Sequence, residues 1–468
     1  MNKTFNLKAP KYIPPLDPAF RPSVLANRAY LDEVRQSKNG VPLLLGLERL
    51  EGYISHFETH VFPEKHERSE ANLAYVERIV KFLLWQRGGW KVYVGGPSSI
   101  GKYLETCYAQ GGIRSFDSQF MGEEVYEKPF TVITCDPSQV PAEKEGGKPL
   151  GGHLDGCRIG FDLGASDRKV SAVIDGNVIF SEEVIWDPKG EHDPEYHYYE
   201  VMSSLKKAAE YLPRVDAIGG SAAGIYIDNQ VRIASLFRGI PKDRYHEVRK
   251  LFIRIRDEFG VPLEIVNDGD VTALAGSLSI EDNGVLGIAM GSSEAGGYVD
   301  MHGNITGWLN ELAFAPVDYN PEAPVDEWSG DRGVGAQYFS QECIFRLATK
   351  AGIKVPSNLV KAEQLVSIQE KLEAGDKQAE LIWKSMGYYL GYSLAHYADF
   401  YDLKHVLILG RCTSGRGGNL ILAGANEVIE DEFSTIAEKV SIQLPDEKSR
   451  RIGQSIAAAS LPALEKEM

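Results

Sequence analysis

Three stretches of this 468-residue chain combine residue types that can hold phosphate. The first is Gly96-Pro-Ser-Ser-Ile-Gly101-Lys102, between an apolar strand and a helical pattern. It satisfies GxxxxGK, in which backbone N–H groups cradle an anion and the lysine reaches the outer phosphates. Tyr103, however, stands where Ser or Thr should hold magnesium. No strand before residue 150 convincingly supplies a second acid, Cys135-Asp136 being the nearest candidate. The stretch reads as a strand-to-helix turn in which Ser98 or Ser99 caps the next helix. An anion at that helix N-terminus is the alternative.

The other two stretches are FDLGASDRKVSAVIDGNVI and AMGSSEAGGYVDMHGNI. In each, an apolar strand ends at a glycine (Gly164, Gly291), and two small residues and an acid follow (Ala165-Ser166-Asp167, Ser292-Ser293-Glu294). A second strand then leads to a Gly-Asn turn (Gly176-Asn177, Gly303-Asn304) at the same spacing from the first glycine. Such a turn places N–H groups and hydroxyls at one end of a sheet, an anion cradle. One copy is no more than an ordinary hairpin can show. Two copies in register point to a duplicated fold whose opposed loops can clasp one phosphate chain.

The surrounding elements fit that duplication. Residues 1–150 mix helical stretches with short strands and end in the Pro/Gly-rich run PSQVPAEKEGGKPLGGHLDG, of linker composition. Beyond it, buried strands and amphipathic helices alternate, an α/β texture. The N-terminus reads as an extended, Pro-punctuated arm without a signal-peptide core. No apolar run approaches the ~18 residues of a membrane span. Five scattered cysteines form no CxxC pair, as in a reducing cytoplasm. A formal charge of −16 argues against nucleic acid as a partner.

The ordered motifs resemble the ROK family of sugar kinases and regulators, of the actin/hexokinase-like ATPase superfamily, over roughly residues 157 to 468. Asp162-Leu-Gly-Ala-Ser166 is similar to the first phosphate motif, usually DxGGT, and Asn267 to Ala275 is similar to NDANAAALG. Met290 to Gly297 resembles GTGIGGG, and Asn310-Glu311-Leu-Ala-Phe314 falls where ExGH is expected. Arg332 to Ser340 tracks RGCxExYxS, and His405 to Gly410 falls where the adenosine-contacting strand and turn belong.

The resemblance implies duplicated actin/hexokinase-like (ribonuclease H-like) domains with an additional N-terminal α+β region. The expected divisions are 1–150, 151–270 and 271–468, with the C-terminal helix packing back on the first subdomain. It implies ATP-dependent phosphorylation of a hexose or amino-sugar hydroxyl, with Asp268 as base. Residue chemistry alone also allows Asn267 and Asp268 to be helix caps. Asn267, Glu311 and Gly220 are implied to bind sugar. Asp162, Gly164, Ser166, Gly291, Ser292, Gly296, Gly297 and Gly410 are implied to bind ATP, with Asp162 holding Mg2+ through water. A soluble, cytoplasmic homodimer is expected, with sugar and nucleotide as partners and neither nucleic acid nor membrane.

The departures are specific. Phe314 and Val334 stand at the zinc-ligand positions and no CxCGxxGC is present, so no zinc is expected. Ala336 aligns with a sugar-binding Glu, and Arg411 interrupts the adenosine turn. Glu294 introduces an acid where a triphosphate should lie, a repulsion by Coulomb's law. A sugar- or nucleotide-binding protein that has lost catalysis is therefore the alternative function, with a transcriptional regulator third.

Overall fold

The computed structural model describes residues 6–146, 150–445 and 447–464. Residues 1–5 of the expected arm and 147–149 of the expected linker lie outside them. The chain divides into two compact units. Residues 1–145, 288–296 and 308–444 form the first, and 146–287, 297–307 and 445–468 the second. The chain passes from one unit to the other at 145/146, 287/288, 296/297, 307/308 and 444/445, and the N-terminal region shares a unit with most of the C-terminal half.

The first unit opens with a four-stranded sheet of order β2-β1-β3-β4. Its strands are β1 (Val41–Glu48), β2 (Ile54–Val61), β3 (Lys91–Gly95) and β4 (Thr131–Cys135). The helix Ser69–Arg87 is apolar on more than one face and correspondingly buried, with Val76, Val80, Phe82, Leu83, Leu84 and Trp85 all at 0% exposure. Gly88, with φ +83°, ends it and returns its N–H to Leu84 O at 2.9 Å.

Charges are buried here too. Lys81, wholly buried, lies 2.6 Å from Asp117 and 3.2 Å from Asp331. Arg114 bonds Glu77 and meets Asp331 at 2.6 Å, while Arg78 flanks both acids. Three cations and three acids neutralise one another, the condition under which buried charge is tolerated. The N-terminal arm lies along the helix Lys377–Tyr397, where Asp17 accepts from the Tyr389 hydroxyl at 2.7 Å and pairs with Arg346 and Lys350. The tyrosines of that helix pack in the core.

The second unit is a five-stranded sheet of order β11-β8-β5-β6-β7. It comprises β5 (Cys157–Leu163), β6 (Asp167–Ile174), β7 (Asn177–Ile185), β8 (Ala217–Ala222) and β11 (Leu263–Asn267). A separate hairpin joins β9 (Ile225–Ile227) to β10 (Gln230–Ile233). The β5-β6-β7 meander is antiparallel, whereas β8 and β11 run parallel to their neighbours. The C-terminal helix Glu447–Ala459 presses onto this sheet where side chains are missing. A Cβ on Gly160 would meet Ser455 O at 2.3 Å, and one on Gly219 would meet Ala458 O at 1.7 Å. The buried Arg158 guanidinium ties down the end of that helix, donating to Pro462 O at 2.7 Å and Ala459 O at 3.4 Å.

The last sheet has the order β13-β12-β14-β15, from β12 (Val285–Met290), β13 (Glu294–Val299), β14 (His405–Leu409) and β15 (Ser441–Gln443). Its order repeats β6-β5-β8-β11 of the second unit: a return strand, a central strand, then two strands reached by crossovers. The repeated loops are thus equivalent returns, β5 to β6 and β12 to β13. Both following turns place glycine at positive φ, Gly176 at +77° and Gly303 at +85°. The fold is the duplicated actin/hexokinase-like architecture.

Candidate active site

In the second unit, β11 runs directly into the helix Asp268–Ile280. Asn267 is its N-cap: Oδ1 accepts from Gly269 N at 2.7 Å, and Nδ2 donates to Gly224 O at 2.8 Å. Asp268 is therefore the first helical residue, and its carboxylate is not the cap. Burial, and then the charge of Asp162, push the Asp268 carboxyl up to about 6, and backbone N–H groups at the helix start offset only part of this. Asp162 lies on β5 opposite Ser221 of β8 and Lys169 of β6. Burial raises its carboxyl, opposed by the Ser221 hydroxyl and the Lys169 charge. Asp162 and Asp268 thus stand near enough for the charge of one to raise the other, and magnesium is commonly held by one or two carboxylates together with substrate phosphates.

Gly164 and Ser166 form the turn between β5 and β6, closed by Gly164 N to Asp167 O at 2.9 Å. Trp186 braces it, donating its indole N–H to Gly164 O at 2.9 Å. Ser166 is exposed. Gly220 is buried within β8, where a Cβ would lie 2.1 Å from the Phe161 ring, so packing explains this glycine. Gly297 is explained similarly: a Cβ there would meet Gly269 O at 2.0 Å, beside Asp268. The close approach sets β13 against the first turn of the helix, where Tyr298 N–H donates to Asp270.

In the first unit, Gly291 is half-buried and its N–H donates to Ser293 O at 3.0 Å, while Ser292 and Ser293 are exposed at the tip of the return. These two serines are the part of the loop available to an anion. Gly296 backs onto Asn310 O, and Gly410 (φ +100°) backs onto Met290, each where a Cβ would clash with backbone. Arg411 is exposed beside them. Arg416 is committed to its own fold, bonding Leu372 O at 2.6 Å and Glu380 at 2.8 Å.

Glu294 does not lie where the sequence suggested. Its side chain is 3% exposed and packs against Gly335 rather than facing solvent with Ser292 and Ser293. Burial pushes its carboxyl up to about 8, offset only by the nearby Tyr397 hydroxyl, and neither oxygen makes a well-formed hydrogen bond. At neutral pH it is an uncharged acid, so the expected repulsion of a phosphate chain does not arise. The folded state keeps a proton that the unfolded chain has released, so this residue makes stability fall as pH rises. The slope is roughly 1.4 kcal/mol per pH unit between about 4.5 and about 8. Glu294→Gln should therefore match the wild-type melting temperature near pH 5 and exceed it at pH 9. Equal melting temperatures at both pH values would refute the assignment.

Glu311 is held by the N-terminal region. Its N–H donates to Trp85 O at 2.9 Å, and Asn310 N–H to Gln86 O at 2.8 Å. The carbonyls in the last turn of Ser69–Arg87, which lack helical partners, thus hold the loop. Phe314, at the zinc-ligand position of the family motif, lies among aromatic rings: 4.4 Å from Trp85 and 6.4 Å from Phe120.

The GxxxxGK stretch is structural. Pro97 is the N-cap of Ser98–Tyr108 and makes no side-chain cap, so neither serine caps as expected. Instead Glu64 Oε1 accepts from Ser99 N at 2.9 Å and Ser98 Oγ at 3.1 Å, placing the chain's own carboxylate where an anion would sit. Those bonds hold the Glu64 carboxyl below its ordinary value. Gly101 is required because a Cβ would lie 2.0 Å from Thr134 Oγ1. No sequence signal pointed to Glu64, which comes from an intervening loop.

Solved structures share this architecture. A ROK hexokinase from Thermus thermophilus aligns at TM-score 0.50 and 18% identity, over 64% of this chain and 97% of its own. A ROK family transcriptional regulator, a homolog of the E. coli MLC protein, aligns at 0.50 and 17%, over 66% and 79%. The fold is that of the ROK proteins. No protein-family model matches the sequence, and no curated protein does. The ROK fold thus spans about two thirds of the chain. Among the described residues, no helix is long and apolar enough to cross a membrane.

Proposed function

We propose that the protein is an ATP-dependent sugar kinase that phosphorylates a hydroxyl of a hexose or amino sugar. The observation that carries this is the Asp268 carboxylate, left out of the helix cap at a strand-to-helix junction and poised near 6. A base with that value is ionised at neutral pH yet basic enough to take a hydroxyl proton as the oxygen attacks. Asn267, Glu311 and Gly220 are assigned to the sugar. Gly164, Ser166, Gly291, Ser292, Gly296, Gly297 and Gly410 are assigned to the nucleotide, the glycines buried by packing contributing only backbone. Mg2+, held through water by Asp162, would neutralise phosphate charge when bound.

The test is ADP release over a panel of hexoses and amino sugars with Mg-ATP. Turnover with at least one is expected, and none with any would sink the kinase reading. The buried Ala336, in place of a sugar-binding Glu, favours the second reading, a binding protein without catalysis. Sugar binding by calorimetry without turnover would establish it.

A further inference from the structure

Trp328 is 60% exposed, yet it is anchored. Its indole stands near-perpendicular to three phenylalanines: 5.9 Å from Phe116 at 77°, 5.7 Å from Phe120 at 79° and 5.3 Å from Phe314 at 69°. The loop beneath it is equally fixed. Asp326 Oδ2 accepts from Ser329 N at 2.8 Å and Ser329 Oγ at 2.7 Å, and Asp326 N–H donates to Asp331 O at 2.8 Å. Asp331 in turn is locked into the buried cluster with Lys81 and Arg114. A large apolar surface held rigidly in water gives up little conformational freedom when something covers it. Aromatic faces of this kind take the C–H face of a pyranose, leaving its hydroxyls for neighbouring polar groups such as the exposed Glu327.

The ring is continuous with the loop assigned to sugar. Phe314, which it touches, closes the turn that begins at Glu311, donating its N–H to Glu311 O at 3.2 Å. We infer that Trp328 is a stacking platform for a second sugar ring, so the acceptor is a disaccharide or glycoside rather than a lone monosaccharide. This rests on the sugar-kinase reading for the ring held by Glu311. The stacking itself requires no catalysis.

Calorimetry on the full chain would compare glucose, mannose and N-acetylglucosamine with maltose, cellobiose and sucrose, in the wild type, Trp328→Ala and Trp328→Phe. At least one disaccharide should bind about tenfold more tightly than its monosaccharide. Trp328→Ala should remove that gain while leaving monosaccharide affinity unchanged, and Trp328→Phe should keep most of it. The inference is overturned by disaccharides that bind no better than monosaccharides, by no binding at all, or by equal weakening of both classes. It is also overturned if Trp328→Ala instead dissociates an oligomer on a sizing column, which would make the ring a subunit contact. Phosphorylation of monosaccharides without any Trp328-dependent gain would leave the kinase standing and remove the platform. A Trp328-dependent gain without turnover would do the reverse.

Discussion

Asp268→Asn should lower kcat by about two to four orders of magnitude, the usual contribution of a positioned base, while the protein becomes no less stable. The two effects have one cause. Burial and the Asp162 charge disfavour an ionised Asp268, so its carboxyl is raised to about 6. Between the unfolded value near 4 and about 6, the folded state holds the proton more tightly, and stability falls as pH rises. An amide carries no charge to disfavour, so above pH 6 the variant should melt at or above the wild-type temperature. Asn267 keeps its cap, so the helix start is undisturbed. The wild-type rate should climb with pH and level off above about 6 as the base ionises. Full activity in the variant would remove Asp268 from the chemistry. Lost activity with a collapsed melting temperature would instead make it structural.

The second large effect is expected at Lys81→Met. This lysine is wholly buried and faces both Asp117 and Asp331. Removing one partner of a buried ion cluster leaves uncompensated charge, at a cost of about 3–5 kcal/mol. Asp117 would keep the Trp85 indole N–H, at 2.6 Å, on the oxygen the lysine now shares, and Arg114 at 3.9 Å from the other. The cations hold the Asp331 carboxyl far below the usual carboxylate range, so the cluster's contribution is present at neutral pH. It is lost as pH falls below the ordinary carboxylate value of about 4. Urea unfolding at pH 7 measures the cost. A loss under about 1 kcal/mol would show that solvent or rearrangement replaces the lysine.

The sequence was legible wherever the determining chemistry is local. The two return loops and their Gly-Asn turns could be read because glycine at positive φ and small residues at a strand end are short-range requirements. They led to a duplicated fold whose sheet order repeats. Asn267 could be read as a cap by the same logic, and the structure separates its role from that of Asp268. Features that depend on residues distant in the chain could not be read. Glu64 reaches Ser98 and Ser99 from more than thirty positions away, so the serines looked like caps when the acid supplies the contact. Glu294 follows exposed serines in sequence, but the strand begins at that residue and turns its side chain inward. Lys81, Asp117 and Asp331 look like ordinary surface charges until the fold assembles them. The repeated passage of the chain between the two units follows from such long-range packing, which composition does not report.

The helix Ser69–Arg87 gives the N-terminal region a role beyond bulk. Its final carbonyls take the amides of Asn310 and Glu311, and Lys81, one turn before Trp85, holds Asp331 in the loop that carries Trp328. Both segments assigned to the proposed acceptor are therefore cast against this single rod. A chain shortened to begin at residue 151 would keep Glu311 and Trp328 in its sequence but lose the mould that sets their spacing. Acceptor choice in this protein should accordingly change with substitutions inside the first hundred residues, at positions that never touch a sugar.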